Sequence, residues 1–255
     1  KASIKMGAGV GLIATLLAAM TGDNSAYRVA QVQPMKLAAM EALYNGGKGE
    51  SLTAIAAVHP FRQPDYKNEQ EPAMRIAIPN MLSFLATRTA DGYVPGVNDI
   101  LNGYTKEDGT REPSVQEKIA RGKKAIVALK TYRETKAQDQ LPILKENMKY
   151  FGYGYINDAK ELVPSIPICF YAFRLMVGVG CLLILFFALS LFLVYKKEIA
   201  QYRWFLISAI IMIPLAYIAS ESGWIVAEIG RQPWTIQDLL PVSAAISDIE
   251  AGSVA

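Results

Sequence analysis

Residues 221–234 read E-S-G-W-I-V-A-E-I-G-R-Q-P-W and close an apolar run that begins at Trp204. A charged side chain inside a membrane run costs roughly 2.5–3.5 kcal/mol, and this one holds two carboxylates, Glu221 and Glu228. At about 100° per residue, Glu221, Trp224, Glu228 and Arg231 fall on one helical face. Such a face looks at a partner helix, a water-filled path or a bound cofactor rather than at lipid. Proton relay, ion passage and cofactor ligation are all open to it, and an interfacial anchor is the plainer reading of Arg231. Arg174 and Met176 stand in the preceding apolar run. A membrane methionine is ordinarily packing. Beside an arginine it is also a fit axial haem ligand, since propionates need cations.

Other chemistries are poorly supplied. His59 is the sole histidine and sits beside Pro60 in a polar stretch, so this chain cannot ligate haem through two histidines. No group of His, Cys, Asp and Glu has the spacing of a soluble metal site. Cys169 and Cys181 share one apolar run. Twelve helical steps hold them about 18 Å apart, too far for a disulfide. A net charge of +3 without basic clusters gives nucleic acid nothing to grip.

The elements that must position these residues follow from the hydrophobic pattern. The 255 residues are 52% hydrophobic, high for a soluble domain and low for a purely membrane one, so the architecture is mixed. The reading is an all-α, polytopic membrane helix bundle with a large, mainly helical extracytoplasmic loop. Residues 1–21 are a membrane helix, rich in glycine and ended by the turn formers Gly22-Asp23-Asn24-Ser25. Residues 22–165 are the loop. Within it an amphipathic helix is expected over 32–44, a flexible break at Gly46-Gly47-Lys48-Gly49 and a proline-rich loop over 59–72. Ser114-Val115-Gln116-Glu117 is a capping box that starts a helix to about Thr135, and another helix covers 140–150. Residues 166–195 span the membrane, with no charge from Leu175 to Tyr195. Residues 196–203 form a cytoplasmic link marked by Lys196, Lys197 and Arg203, and 204–230 span again, with Pro214 a kink. Residues 231–255 then form an outer interfacial segment. Lys1 and Lys5 mark the cytoplasmic end of the first span, which puts the loop and Arg231 on the opposite side. The chain reads as an internal or C-terminal piece of a longer membrane protein.

Several strings taken together resemble subunit I of the cytochrome bd quinol oxidases. Gly230-Arg231-Gln232-Pro233-Trp234, preceded by Gly223-Trp224 and Ala227-Glu228, is similar to one family signature, and Phe173-Arg174-Leu175-Met176 to a second. Lys36-Leu37-Ala38-Ala39-Met40-Glu41, following Gly22-Asp23 and Tyr27, resembles the start of the family's quinol-binding loop. Ile76-x-Ile78-Pro79 with Ala86-Thr87-Arg88 fits the same loop, whose length resembles the long-loop branch. The resemblance covers essentially the whole chain.

The resemblance implies a terminal respiratory oxidase of the bacterial cytoplasmic membrane. Such an enzyme oxidises ubiquinol or menaquinol at the outer face and reduces O2 to water, separating charge without a pump. It implies Met176 as a ligand of the low-spin haem b iron, with Arg174 holding propionate charge. Glu228 would ligate the high-spin haem b, Trp224 would pack near haem d (or a third haem b), and Arg231 would hold propionates. Glu221 joins the buried polar network. Lys36 and Glu41 would bind and deprotonate quinol, with Asp23, Tyr27 and Gln33 secondary. The family's histidine ligands lie upstream of the loop and are not in this sequence. Implied partners are subunit II, a small single-helix subunit, the remaining N-terminal helices of the same subunit and the lipid bilayer. Two rival readings come from the residues alone. One is a proton-coupled transporter using Glu221 and Glu228; the other is a non-catalytic membrane subunit with an outer domain.

Overall fold

The computed structural model describes residues 2–58, 73–196, 199 and 201–246. His59 and the expected loop over 59–72 lie outside the described residues, as do Lys1, Lys197 and residues 247–255. The chain runs α1 (Ala2–Val32), α2 (Pro34–Glu41), β1 (Gly47–Lys48), β2 (Leu52–Ala57), β3 (Ala73–Ile78) and α3 (Met81–Thr87). Next come β4 (Tyr93–Val94), α4 (Val97–Asn102), β5 (Tyr104–Thr105), β6 (Arg111–Glu112), α5 (Val115–Thr135) and α6 (Gln140–Asn147). Two 3-10 segments (Met148–Tyr155 and Ala159–Leu162) lead into α7 (Ile166–Tyr195) and α8 (Arg203–Ile229). A small hairpin of β7 (Trp234–Ile236) and β8 (Leu240–Pro241), then α9 (Val242–Ala245), follow.

Three helices, α1, α7 and α8, are long and apolar enough to cross a membrane. α7 and α8 pack along their length, and Phe186 stacks on Phe205 at 5.0 Å where they meet near the short link. The first span does not stop where the turn formers suggest. α1 continues through Gly22-Asp23-Asn24-Ser25 to Val32. The physical reason lies 65 residues away: Arg88, just after α3, donates to both Asp23 carboxylate oxygens, at 3.0 and 2.6 Å. That bidentate pair occupies the side chain that would otherwise compete for the backbone in a turn. Gln31 adds a bond from Nε2 to the Ala86 carbonyl.

The loop is helical in its main elements, yet among the described residues it also carries three two-stranded antiparallel sheets that periodicity alone did not reveal, with β7–β8 a fourth after α8. The expected flexible break at Gly46–Gly49 is instead paired: Gly47 faces Val94 across β1 and β4, and the Gly46 amide donates to Asp99 Oδ2 at 2.6 Å. The apolar spacing around Pro79 resolves into β3 and α3, with β3 pairing β2. α5 begins where the capping box places it. Ser114 Oγ accepts the Glu117 amide at 3.2 Å, and the helix ends at Thr135 as read.

The core that positions the site is built on α2. Leu37, Ala38, Ala39, Met40 and Glu41 are all buried. The four apolar ones share one cluster with Leu82, Val94 and Val97 of the loop, Ile166, Cys169 and Phe170 of α7, and Val226 of α8. Each fully buried large apolar side chain there stabilises by about 1.5–3 kcal/mol. Ala38 and Ala39 are small enough for α2 to lie close to the membrane helices. Pro34 pre-sets the first turn, and Ala42 ends the helix in the left-handed region (φ 49°) with its amide reaching back to Ala38 and Ala39 carbonyls.

Candidate functional site

α2 carries two chemical side chains and sends them to different places. Glu41 meets Arg174 of α7, whose Nη2 donates to Glu41 Oε2 at 2.7 Å. Both are withdrawn from solvent, with side-chain exposures of 2% for Glu41 and 14% for Arg174. The arginine makes four hydrogen bonds to the described residues from its five N–H donors. Nε and Nη2 donate to the Thr53 carbonyl at 3.1 and 2.7 Å, Nη1 donates to the Met40 carbonyl, and the Phe170 ring lies 4.0 Å from the guanidinium. All three nitrogens of Arg174 are thus engaged by protein, which ties α7 to α2 and β2. Burial pushes the Glu41 carboxyl above the ordinary carboxylate range, and Arg174 pulls it back. A cavity of about 90 Å³ reaches Glu41, lined also by Ser51, Thr53 and Arg75.

Lys36 lies against the end of α8 instead. Its Nζ donates to the Ala227 carbonyl at 3.3 Å, a cation on the C-terminal turn where the helix dipole favours one. Burial lowers the Lys36 ammonium from the ordinary lysine value, nearby Arg231 lowers it further, and Glu228 opposes. Lys36 and Arg231 line one cavity of about 720 Å³, which Gln33 and Trp234 also line. Lys36 and Glu41, paired in the sequence reading, therefore open onto separate cavities.

On α8 the polar face divides as the spacing requires. Ser222 and Val226 are buried, while Glu221 is exposed and Trp224 is 63% exposed. Glu228 and Arg231 form an i,i+3 pair at 2.5 Å through Nη2, each about 40% exposed. Arg231 Nε is buried without a hydrogen-bond partner among the described residues. Met176 is half-buried against Gly223, where a Cβ would come within 2.9 Å of its sulfur. A side chain at 223 would make that methionine shift. Gly223 precedes Glu228 by five residues, about 7.5 Å of helical rise, so Met176 and Glu228 differ little in depth.

Of the secondary candidates, Asp23 and Tyr27 are gathered by Arg88, whose guanidinium lies 5.0 Å from the Tyr27 ring centre. Gln33 caps α2, with its carbonyl accepting the Lys36 amide at 3.0 Å. Sequence reasoning quoted Arg88 in a motif but gave it no task. Thr53 and Phe170, the other partners of Arg174, carried no sequence signal.

The family model for cytochrome bd terminal oxidase subunit I matches residues 1–255, the entire chain. The chain belongs to that family. It is 34% identical to the Escherichia coli cytochrome bd-II ubiquinol oxidase subunit 1 over 99% of its own length and 49% of the relative's. It is 29% identical to the Bacillus subtilis cytochrome bd ubiquinol oxidase subunit 1, over 100% of this chain and 43% of that one. The bd oxidase structure from Geobacillus thermodenitrificans has a similar fold, with a TM-score of 0.59 at 23% identity over 94% of this chain and 40% of that one. The chain thus spans about half the length, or less, of the family members it matches. Membership makes it a membrane protein of helical fold, in agreement with the three long apolar helices, and implies haem cofactors.

Proposed function

We propose that this chain is the quinol-loop half of an oxidase subunit that takes electrons from ubiquinol or menaquinol and delivers them through haems to O2. The observation that carries the reading is an interlock: α2, from the loop, bonds through Glu41 to Arg174, two residues before Met176, and through Lys36 to the α8 turn that bears Glu228. Side chains expected to serve quinol are thereby joined to those expected to serve haem. Family membership favours this over a proton-coupled transporter or a non-catalytic membrane subunit.

Haem iron, when bound, supplies electron transfer and O2 binding. The residues present fit such groups in part. Arg231 has a buried, unpartnered Nε beside a large cavity, suited to a propionate oxygen. Glu228, bonded only through Oε2 to Arg231 and partly exposed, suits the high-spin haem b iron. Met176, on α7 against Gly223 of α8, suits a ligand of the low-spin haem b iron. Glu221 and Trp224 face away from α7 and suit a wall toward haem d or a third haem b. Arg174 fits less well as a propionate holder, with four of its N–H donors already given to α2 and β2, and acts as the strut that fixes the Met176 turn. Lys36, with its ammonium made easier to deprotonate by burial, binds and orients quinol at the large cavity. Glu41 accepts a proton through the small polar cavity.

Residues 22–165 are assigned to the extracytoplasmic side and 196–203 to the cytoplasmic side of a bacterial inner membrane, by the positive-inside rule. Subunit II, a small single-helix subunit and the subunit's own N-terminal helices complete the complex. The test is quinol-driven O2 uptake by the purified complex. Lys36→Ala should raise the quinol KM at least tenfold with haem content unchanged, and wild-type kinetics would remove Lys36 from the site.

A further inference from the structure

Beyond α8 the chain makes a tight turn that carries Arg231. The Gln232 amide donates to the Ile229 carbonyl at 3.1 Å, the Trp234 amide to Arg231 at 3.0 Å, and the Val242 amide to Pro233 at 2.7 Å. At the tip of the β7–β8 hairpin Asp238 has φ 61°, a left-handed conformation that aspartate tolerates better than most non-glycine residues. The loop grips it there. Tyr153, 85 residues earlier in the first 3-10 segment, donates its hydroxyl to Asp238 Oδ1 at 2.5 Å. Its ring meets Trp234 edge-on at 5.0 Å, and both rings are buried. Gly152 lies so close that a Cβ would fall 2.6 Å from the Asp238 carbonyl oxygen. Tyr153, Trp234 and Asp238 line the same cavity as Lys36 and Arg231. Burial and the Asp238 carboxylate raise the Tyr153 phenol, which keeps it a hydrogen-bond donor.

We infer that Tyr153 and Asp238 are positioning residues: together they lock the turn after α8 onto the outer loop and so fix where Arg231 stands in the cavity wall. The long-loop elements that include α5, α6 and the first 3-10 segment then have a task besides quinol binding, which is to hold the end of α8. This rests on the proposed role of Arg231 toward a haem propionate.

The experiment uses the intact complex with Tyr153→Phe, Asp238→Ala, Asp238→Asn and the Phe/Ala double variant. Tyr153→Phe keeps the ring contact with Trp234, and asparagine keeps both an acceptor oxygen and tolerance of the left-handed conformation. Two readouts are taken: hydrogen exchange at the Trp234 and Val242 amides, and the absorbance band and midpoint potential of the high-spin haem. Tyr153→Phe and Asp238→Ala should each speed exchange about tenfold or more and shift the haem band. The double variant should go no further than either single one, and Asp238→Asn should behave as wild type. Unchanged exchange overturns the clamp. Faster exchange with an unmoved band and potential overturns the positioning role and leaves the pair merely structural. An Arg231→Gln control separates the two readings: if it leaves the haem band untouched, the propionate role of Arg231 is what fails, while exchange still decides whether the pair holds the turn.

Discussion

Cutting Glu41 back to alanine removes the carboxylate that faces Arg174 across 2.7 Å. With only 14% of the arginine side chain exposed, the stranded guanidinium cannot turn out to water. Removing one partner of a buried ion pair costs about 3–5 kcal/mol, because the survivor is an uncompensated charge. Arg174 keeps the carbonyls of Met40 and Thr53 and the face of Phe170, which puts the loss at the low end, about 3 kcal/mol. At about 1.4 kcal/mol per factor of ten this is roughly a 150-fold shift in the folding equilibrium. Glu41→Gln keeps an acceptor oxygen and loses only the charge, for about 1–2 kcal/mol. Denaturant unfolding of the purified complex, followed by tryptophan fluorescence, measures both. A second readout follows from geometry: the alanine variant frees a turn of α7 two residues from Met176 and should broaden the low-spin haem band, while the glutamine variant should not. Alanine and glutamine variants that unfold within about 0.5 kcal/mol of each other would refute the claim that this buried pair fastens α2 to α7.

Gly223→Ala places a methyl 2.9 Å from the Met176 sulfur and displaces it; the low-spin haem band should shift with haem content kept, and an unshifted spectrum would count against Met176 as ligand. Glu228→Ala should deplete the high-spin haem b in a pyridine-haemochrome assay, and full occupancy would exclude the ligand role. Ser114→Ala removes the acceptor for the Glu117 amide and should destabilise α5 by about 1 kcal/mol, read as faster hydrogen exchange over its first turn.

The spans over 166–195 and 204–230 were legible because a long apolar run in water has few other uses, and the start of α5 because a capping box is a local signal. The continuation of α1 past Gly22 was not, since Asp23 is a turn former until Arg88, distant in sequence, takes its carboxylate. The strand pairs of the loop were missed for a related reason: β1 and β4 are two residues each, too short for alternation to register, lie far apart in sequence, and are held by bonds such as Gly46 to Asp99. Motif resemblance picked out Glu41, Arg174, Lys36 and Arg231 individually. It could not say that Glu41 belongs with Arg174 while Lys36 belongs with the end of α8, because that partition is set by which sides of one short buried helix face α7 and α8. Tyr153 and Asp238 stand 85 residues apart and each reads as an ordinary loop residue.

The most direct measurement of the central claim is the reduced-minus-oxidised visible spectrum of the purified complex, wild type beside Met176→Leu. The account expects haem bands in the wild type and selective loss or displacement of the low-spin haem b band in the variant. A wild-type complex without haem bands, or a variant whose spectrum is indistinguishable from it, would contradict the account.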